Sequence, residues 1–84
     1  MTTTTPKSSD NSIEQSVRES LELYFSDLGG EAPHSMHDML ISLVEKPLLE
    51  VVMEKAGNNQ SRAAEWLGIN RNTLRRKLTD HKLL

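Results

Sequence analysis

The chain has 84 residues, of which 36% are hydrophobic and 4% aromatic, so it can build one small domain with a marginal core. It contains no cysteine, which excludes disulfides and thiolate metal sites. No apolar run is long enough to span a membrane, and the first 12 residues contain seven Ser or Thr and no apolar signal segment. The composition therefore predicts a cytoplasmic protein that is held together by hydrophobic packing and that self-associates.

Charge is distributed unevenly along the chain, whose net charge is -2. Residues 1 to 58 include four basic and ten acidic residues, which gives a net charge of -6. Residues 59 to 84 include six basic and two acidic residues, which gives +4. This polarity predicts that the C-terminal end contacts a polyanion while the remainder is solvated or self-associates.

The N-terminal part is predicted to contain a tail and one helix. Residues 1 to 11 are polar, rich in Thr and interrupted by Pro6, which predicts a disordered tail. Ser12 and Gln15 fit a capping box, and apolar residues then recur at helical spacing as far as Leu28. We therefore predict helix A from Ser12 to the two glycines at 29 and 30, which end it.

A second predicted helix, helix B, follows Ser35, which we interpret as its N-cap. The apolar residues keep a helical period across Pro47, which predicts a kink within one helix. A break into two helices at Pro47 is the alternative. Gly57 and Asn58 can adopt the left-handed conformation that ends a helix, so helix B is predicted to end there.

Apolar residues cover more of helix B than one neighbouring helix would bury. A second copy of the chain is the natural cover, and a monomeric bundle is the alternative. Tyr24, Phe25 and Trp66 are interpreted as packing residues, as are the methionines. The predicted homodimer interface consists of Val17, Leu21, Leu40, Val44, Leu48, Val51 and Val52.

The basic end has the pattern of a helix-turn-helix. Asn59 is suited to cap helix C, residues 60 to 67, and Asn70 to cap helix D, from Arg71 to about Asp80, with Gly68 in the tight turn between them. The sequence thus predicts an all-α fold of four helices. Its parts are a tail at residues 1–11, a dimerisation region at 12–58 and a helix-turn-helix at 59–84.

The outer face of helix D is suited to double-stranded DNA. At 100° per residue, Leu74 and Leu78 define its buried side, and Arg76 points the opposite way. Arg71 projects from the leading end, where its guanidinium can make two parallel hydrogen bonds to guanine. We therefore predict that Arg71 reads the major groove. A solvated basic helix on the surface of a bundle is the alternative.

Several segments resemble the Fis (factor for inversion stimulation) family of bacterial nucleoid proteins. They are residues 47–49 (PLL), 59–64 (NQSRAA), 67–71 (LGINR) and 73–75 (TLR). The resemblance implies an intertwined dimer of helices A and B that bends DNA in the nucleoid, regulates transcription and reads sequence largely through DNA deformability. It places the DNA contacts on Asn59, Ser61, Arg62, Asn70, Arg71, Thr73, Arg75, Arg76 and Lys77.

Two features depart from that family. The tail is short and lacks the alternating apolar residues of the N-terminal β-hairpin arm found in members that stimulate recombinases, so recombinase activation is not expected. Thr79 and Asp80 stand where the family example has two lysines, which predicts weaker contacts to flanking DNA.

Other functions remain as alternatives. The same helix-turn-helix ends activators of the nitrogen-regulator type, so the chain could be a detached domain of one; the start methionine and the complete helices A and B favour a free-standing protein. A helical protein-interaction module without DNA binding is the other alternative. RNA polymerase is a candidate partner for the acidic half.

An enzymatic function is not predicted. His34, His37 and His81 have neither the spacing of a metal motif nor a neighbouring nucleophile, and we interpret them as surface groups. No catalytic residue, metal site or cofactor follows from the sequence.

Overall fold

A computed structural model describes residues 5–84, and in that range the chain is helical and contains no strand. Helix α1 spans Thr5–Leu28, α2 spans Met36–Lys55, α3 spans Gln60–Leu67 and α4 spans Arg71–Asp80. The predicted all-α fold of four helices is confirmed, and α3 and α4 have the predicted bounds.

The first helix begins earlier than predicted. Because α1 starts at Thr5, Ser12 lies inside the helix and is not its N-cap. Pro6 is compatible with this start, since the N–H groups of the first helical turn have no partner within the helix. Helix α1 thus includes residues 5 to 11, which the sequence analysis placed in the polar tail, and residues 1 to 4 lie outside the described residues. The helix ends as predicted before Gly29, whose φ is 61°.

Helix α2 is continuous through Pro47, so the alternative of two separate helices is wrong. A proline inside a helix removes one backbone hydrogen bond, and the rest of the helix can persist around it. Ser35 occupies the predicted N-cap position, and its carbonyl accepts a hydrogen bond from the N–H of Met39, but its side chain does not cap the helix. Its φ of 50° places it in the left-handed region, and its side chain accepts no hydrogen bond from the helix start. An N-cap side chain normally requires an extended backbone to reach those N–H groups.

Residues 35–84 form one compact unit, and the described residues before Ser35 form another. Among the residues whose burial is described, all the buried apolar ones lie in the unit of residues 35–84; they are Leu49, Ala56, Ala63, Ala64, Leu74 and Leu78. They come from α2, its C-cap residue Ala56, α3 and α4, so the helix-turn-helix shares its core with α2. The core therefore extends across the boundary predicted at residue 58. The division into a dimerisation region before it and a DNA-binding region after it stays a prediction.

The turns after α3 and α4 tie those helices to the same core. Gly68 and Lys82 adopt left-handed conformations, with φ of 74° and 60°. The next residue in each turn donates its N–H back into the helix: Ile69 to the carbonyl of Ala64 at 3.0 Å, and Leu83 to that of Leu78 at 2.8 Å. This is the Schellman arrangement, in which the following apolar residue covers the helix end. Ile69 and Leu83 both pack against the core.

Candidate nucleic-acid interface

An asparagine caps the N-terminus of each helix in the helix-turn-helix. Oδ1 of Asn59 accepts a hydrogen bond from the backbone N–H of Arg62 at 3.0 Å. Oδ1 of Asn70 accepts one from the backbone N–H of Asn72 at 2.7 Å. Both predicted N-caps are confirmed, and they set the residues at which α3 and α4 begin.

Replacing Asn70 with Ala should lower the free energy of unfolding by about 1 kcal/mol, because an N–H in the first turn of α4 loses its acceptor. Urea or thermal unfolding measures the loss. Asn72→Ala is the matched control, since Asn72 enters the cap through its backbone only. Equal losses in the two variants would contradict the capping role of the Asn70 side chain.

Four arginines define the exposed basic face of the helix-turn-helix: Arg62, Arg71, Arg75 and Arg76. The opposite side of α4 is buried through Leu74 and Leu78, which confirms the predicted orientation of this helix. Among the described side chains, none of these arginines forms an ion pair with a carboxylate. The basic face thus presents positive charge that the unit itself does not neutralise.

Two long hydrogen bonds connect the start of α3 to α4. Nη1 of Arg71 donates to Oγ of Ser61, and Nη1 of Arg75 donates to Oε1 of Gln60, each at 3.4 Å. Bonds of this length are weak, so both guanidinium groups remain available to a partner. The structure therefore brings Ser61, Arg71 and Arg75 together on one surface.

The other predicted DNA-contacting residues differ in exposure. Asn59, Asn70, Arg62 and Arg76 are exposed, whereas Thr73 is half-buried. Lys77 is also half-buried, and it has a partner inside the chain, described next.

Glu45 of α2 joins two groups at the C-terminal end of α4. Nζ of Lys77 lies 2.7 Å from Oε2 of Glu45, and Nε2 of His81 lies 2.9 Å from Oε1. The Lys77, Glu45 and His81 side chains are 34%, 22% and 11% exposed. We call these three residues the Glu45 cluster. The interpretation of His81 as a surface group is wrong, because this ring turns toward α2 and is held there.

The hydrogen bond from Lys77, followed by that from His81, holds the pKa of Glu45 below its ordinary value of 4.5. A carboxylate whose pKa is lower in the folded than in the unfolded chain adds stability above the unfolded value, and this stability disappears as the pH falls through the folded value. At neutral pH, the free energy of unfolding of the wild type should therefore exceed that of the Glu45→Gln variant by on the order of 1 kcal/mol. The difference is this small because the cluster is partly solvated. This difference should shrink below about pH 4.5, which urea unfolding across pH measures. A difference that stays constant with pH would contradict the assignment.

The spacing of Lys77 and His81 predicts that their side chains lie on the same side of α4, because residues four apart are neighbours on the surface of a helix. Their partner Glu45 could not be predicted from the sequence, since it is 32 residues from Lys77 along the chain. Glu45 was therefore not among the predicted site residues.

Two aromatic residues are less buried than predicted. Trp66 is 55% exposed, so its interpretation as a core residue is wrong. Ala63 and Ala64 form the buried side of α3, and Trp66 lies about 200° around the helix from Ala64. Phe25 is also exposed, and its ring meets that of Tyr24 edge-on with centroids 5.9 Å apart.

The residues predicted for a dimer interface are partly uncovered within the single chain. On α2, the predicted interface residues Val44, Leu48 and Val51 are exposed, and so is Ile41, which was not among the predicted ones. These four residues follow one another at spacings of three, four and three, and we call them the α2 stripe. Four other predicted interface residues are half-buried: Val17, Leu21, Leu40 and Val52. Val52 packs against the core of residues 35–84 and so has a role within the chain.

Two capped helices joined through a left-handed glycine, with a shared apolar core and a basic outer face, define a helix-turn-helix protein. A family model described as bacterial regulatory protein, Fis family, matches residues 41–81. A protein of Ralstonia nicotianae described as a Fis-like DNA-binding protein is 58% identical over 76 residues, which are 90% of this chain and 99% of that protein. The chain belongs to the Fis family, and the resemblance read from the sequence is confirmed.

Other relatives extend this comparison. A protein of Neisseria meningitidis serogroup A, also described as Fis-like and DNA-binding, is 56% identical over 72 residues, covering 86% of this chain and 91% of its own. The DNA-binding protein Fis of Proteus vulgaris is 42% identical over 66 residues, covering 79% and 71%. No described helix is long and apolar enough to cross a membrane. The described residues hold no group of three or more side chains placed to bind a metal ion.

Proposed function

We propose that the chain is a dimeric DNA-binding protein that bends double-stranded DNA and regulates transcription in the bacterial cytoplasm and nucleoid. The observation that carries this proposal is the exposed basic face, whose arginines have no carboxylate partner among the described side chains. DNA phosphates would supply the missing negative charge. The names of the relatives from Ralstonia and Proteus describe DNA-binding proteins, which supports the DNA-binding part of the proposal.

The arginines of the basic face have different roles in this proposal. Arg71 at the first position of α4 reads guanine in the major groove, because the N-terminal turn of a recognition helix lies nearest to the base edges. Arg76, on the side of α4 opposite the core, contacts phosphate. Ser61 and Arg62 in the first turn of α3 also contact phosphate, where backbone N–H groups favour anions.

The α2 stripe supports the dimer. Its spacing of three and four residues is that of a helix that packs lengthwise against another helix. A single chain of this size leaves these four aliphatic side chains in water, and a second copy would cover them at a symmetric interface. The chain's own buried core is small, so the added burial would contribute much of the stability.

Membership in the Fis family supports the proposal that the protein bends DNA. In the dimer that the resemblance implies, the two recognition helices lie closer together than one turn of DNA, so the DNA must bend for both to enter successive major grooves. Sequence preference would then come partly from how easily the site's centre deforms.

A gel-shift titration with the full chain tests this function. Probes of random sequence and probes with a central A-tract should both bind, the affinity should fall steeply with rising salt, and circularly permuted probes should show a bend. Binding that does not respond to salt, or no binding at all, would favour a helical protein-interaction module. Bound probes of equal mobility whatever the position of the site would contradict bending.

A further inference from the structure

We propose that Glu45 is a positioning residue for the recognition helix and that it withholds Lys77 from DNA. This inference rests on the proposed function, because it concerns how α4 meets phosphate. It assigns Lys77 to the fold, whereas the sequence placed it among the DNA contacts.

The geometry of the Glu45 cluster carries the inference. Both carboxylate oxygens of Glu45 are occupied, one by Lys77 at 2.7 Å and the other by His81 at 2.9 Å. Lys77 and His81 stand one helical turn apart at the end of α4, so a single α2 carboxylate holds two points of that helix. Two points of attachment restrict rotation of α4 about its axis, which one bond would allow. Rotation of α4 would redirect the arginines of its outer face.

Lys77 and its neighbour Arg76 differ in whether a carboxylate neutralises their charge. Arg76 is exposed and has no carboxylate partner among the described side chains, whereas the charge of Lys77 is cancelled by Glu45 at close range. A phosphate that took Lys77 would have to displace a short, partly buried, charge-assisted hydrogen bond. Each phosphate that a cation neutralises adds about 0.9 to the slope of log affinity against log salt. Lys77 should therefore add nothing to this slope while Glu45 is present.

The test compares the salt dependence of DNA binding among variants of the full chain that circular dichroism shows to be folded. Glu45→Gln should steepen the slope by about 0.9 for each Lys77 that it releases. Adding Lys77→Met should return the slope to that of the wild type, because the double variant removes an ion pair and leaves the net charge unchanged. Arg76→Met is the matched control from the adjacent position, and it should flatten the slope by about 0.9 per subunit.

Two results would overturn the proposal: a double variant with a slope as flat as that of Arg76→Met, or a folded Glu45→Gln variant with the wild-type slope. If Glu45→Gln does not fold, Lys77→Met and Arg76→Met provide the comparison, and a flattening with Lys77→Met as large as that with Arg76→Met overturns the proposal.

Failure of the proposed function is distinguishable from failure of this inference. If the wild type does not bind DNA, the proposed function fails, and the positioning role is then tested by unfolding alone. In that case the stability losses of Lys77→Met and Glu45→Gln should overlap, so that the double variant loses less than the sum of the two. Additive losses would show that Glu45 does not hold α4 through Lys77.

Discussion

Val51→Asp is expected to yield an unfolded or aggregated chain instead of a folded dimer. Val51 belongs to the α2 stripe and is 52% exposed in the single chain, so an aspartate there would remain solvated in a monomer and cost little. In the proposed dimer the same carboxylate would be buried without a partner in each subunit, which costs several kcal/mol per charge. Total stabilities of small proteins are only about 5–15 kcal/mol, so this loss is sufficient to prevent folding.

Circular dichroism and sedimentation measure the two parts of this result, helix content and mass. Trp66→Asp is the matched control, because Trp66 has a similar exposure of 55% but lies on α3, outside the α2 stripe. This control should keep the helix content and the dimer mass. A Val51→Asp chain that stays folded, soluble and monomeric would refute the intertwined architecture, in which the chain cannot fold without its partner.

The helix-turn-helix was predictable from sequence because its signals are local. The capping role of an asparagine and the left-handed turn at Gly68 depend on neighbours within three or four residues. The buried side of α4 followed from the spacing of Leu74 and Leu78 alone. These features agree with one another, which explains why the bounds of α3 and α4 matched the prediction.

The start of α1 was not predictable from the same kind of signal. The polar composition of residues 5 to 11 indicates that they bury little apolar surface, but it does not decide whether their backbone is helical. Extending an existing helix requires no new nucleus and adds one hydrogen bond per residue, so a helix formed farther along can continue into a polar segment. The capping pattern at Ser12 therefore lies inside α1 and does not mark its start.

The roles of Lys77, His81 and Trp66 depended on tertiary contacts. The charge of Lys77 suggested a phosphate contact, but the sequence did not show that its ammonium group lies 2.7 Å from the Glu45 carboxylate of α2 in the folded unit. Trp66 is large and apolar, yet the buried side of α3 is taken by two alanines, which allow close approach of the neighbouring helices. Residue type indicated what these side chains can do, and packing decided what each one contacts.

Arg71→Ala is expected to weaken binding to preferred DNA sites by about 1–3 kcal/mol, and to weaken binding to unrelated sequences less. Arg71 is exposed at the first position of α4, and its only side-chain hydrogen bond among the described residues is the long one to Ser61. Its guanidinium can therefore leave Ser61 for guanine at little cost. The loss would come from two hydrogen bonds to one base, so the preference should relax at one base position in each half-site.

Competition titrations with probes that differ at one base pair measure this loss position by position. Arg76→Ala provides the comparison, because a phosphate contact carries no sequence information and its removal should weaken every probe alike. Ser61→Ala separates base reading from the resting position of Arg71: it removes the 3.4 Å bond but leaves the guanidinium, so the base preference should persist. If Arg71→Ala instead weakens all probes equally, as Arg76→Ala does, Arg71 contacts the DNA backbone and does not read a base.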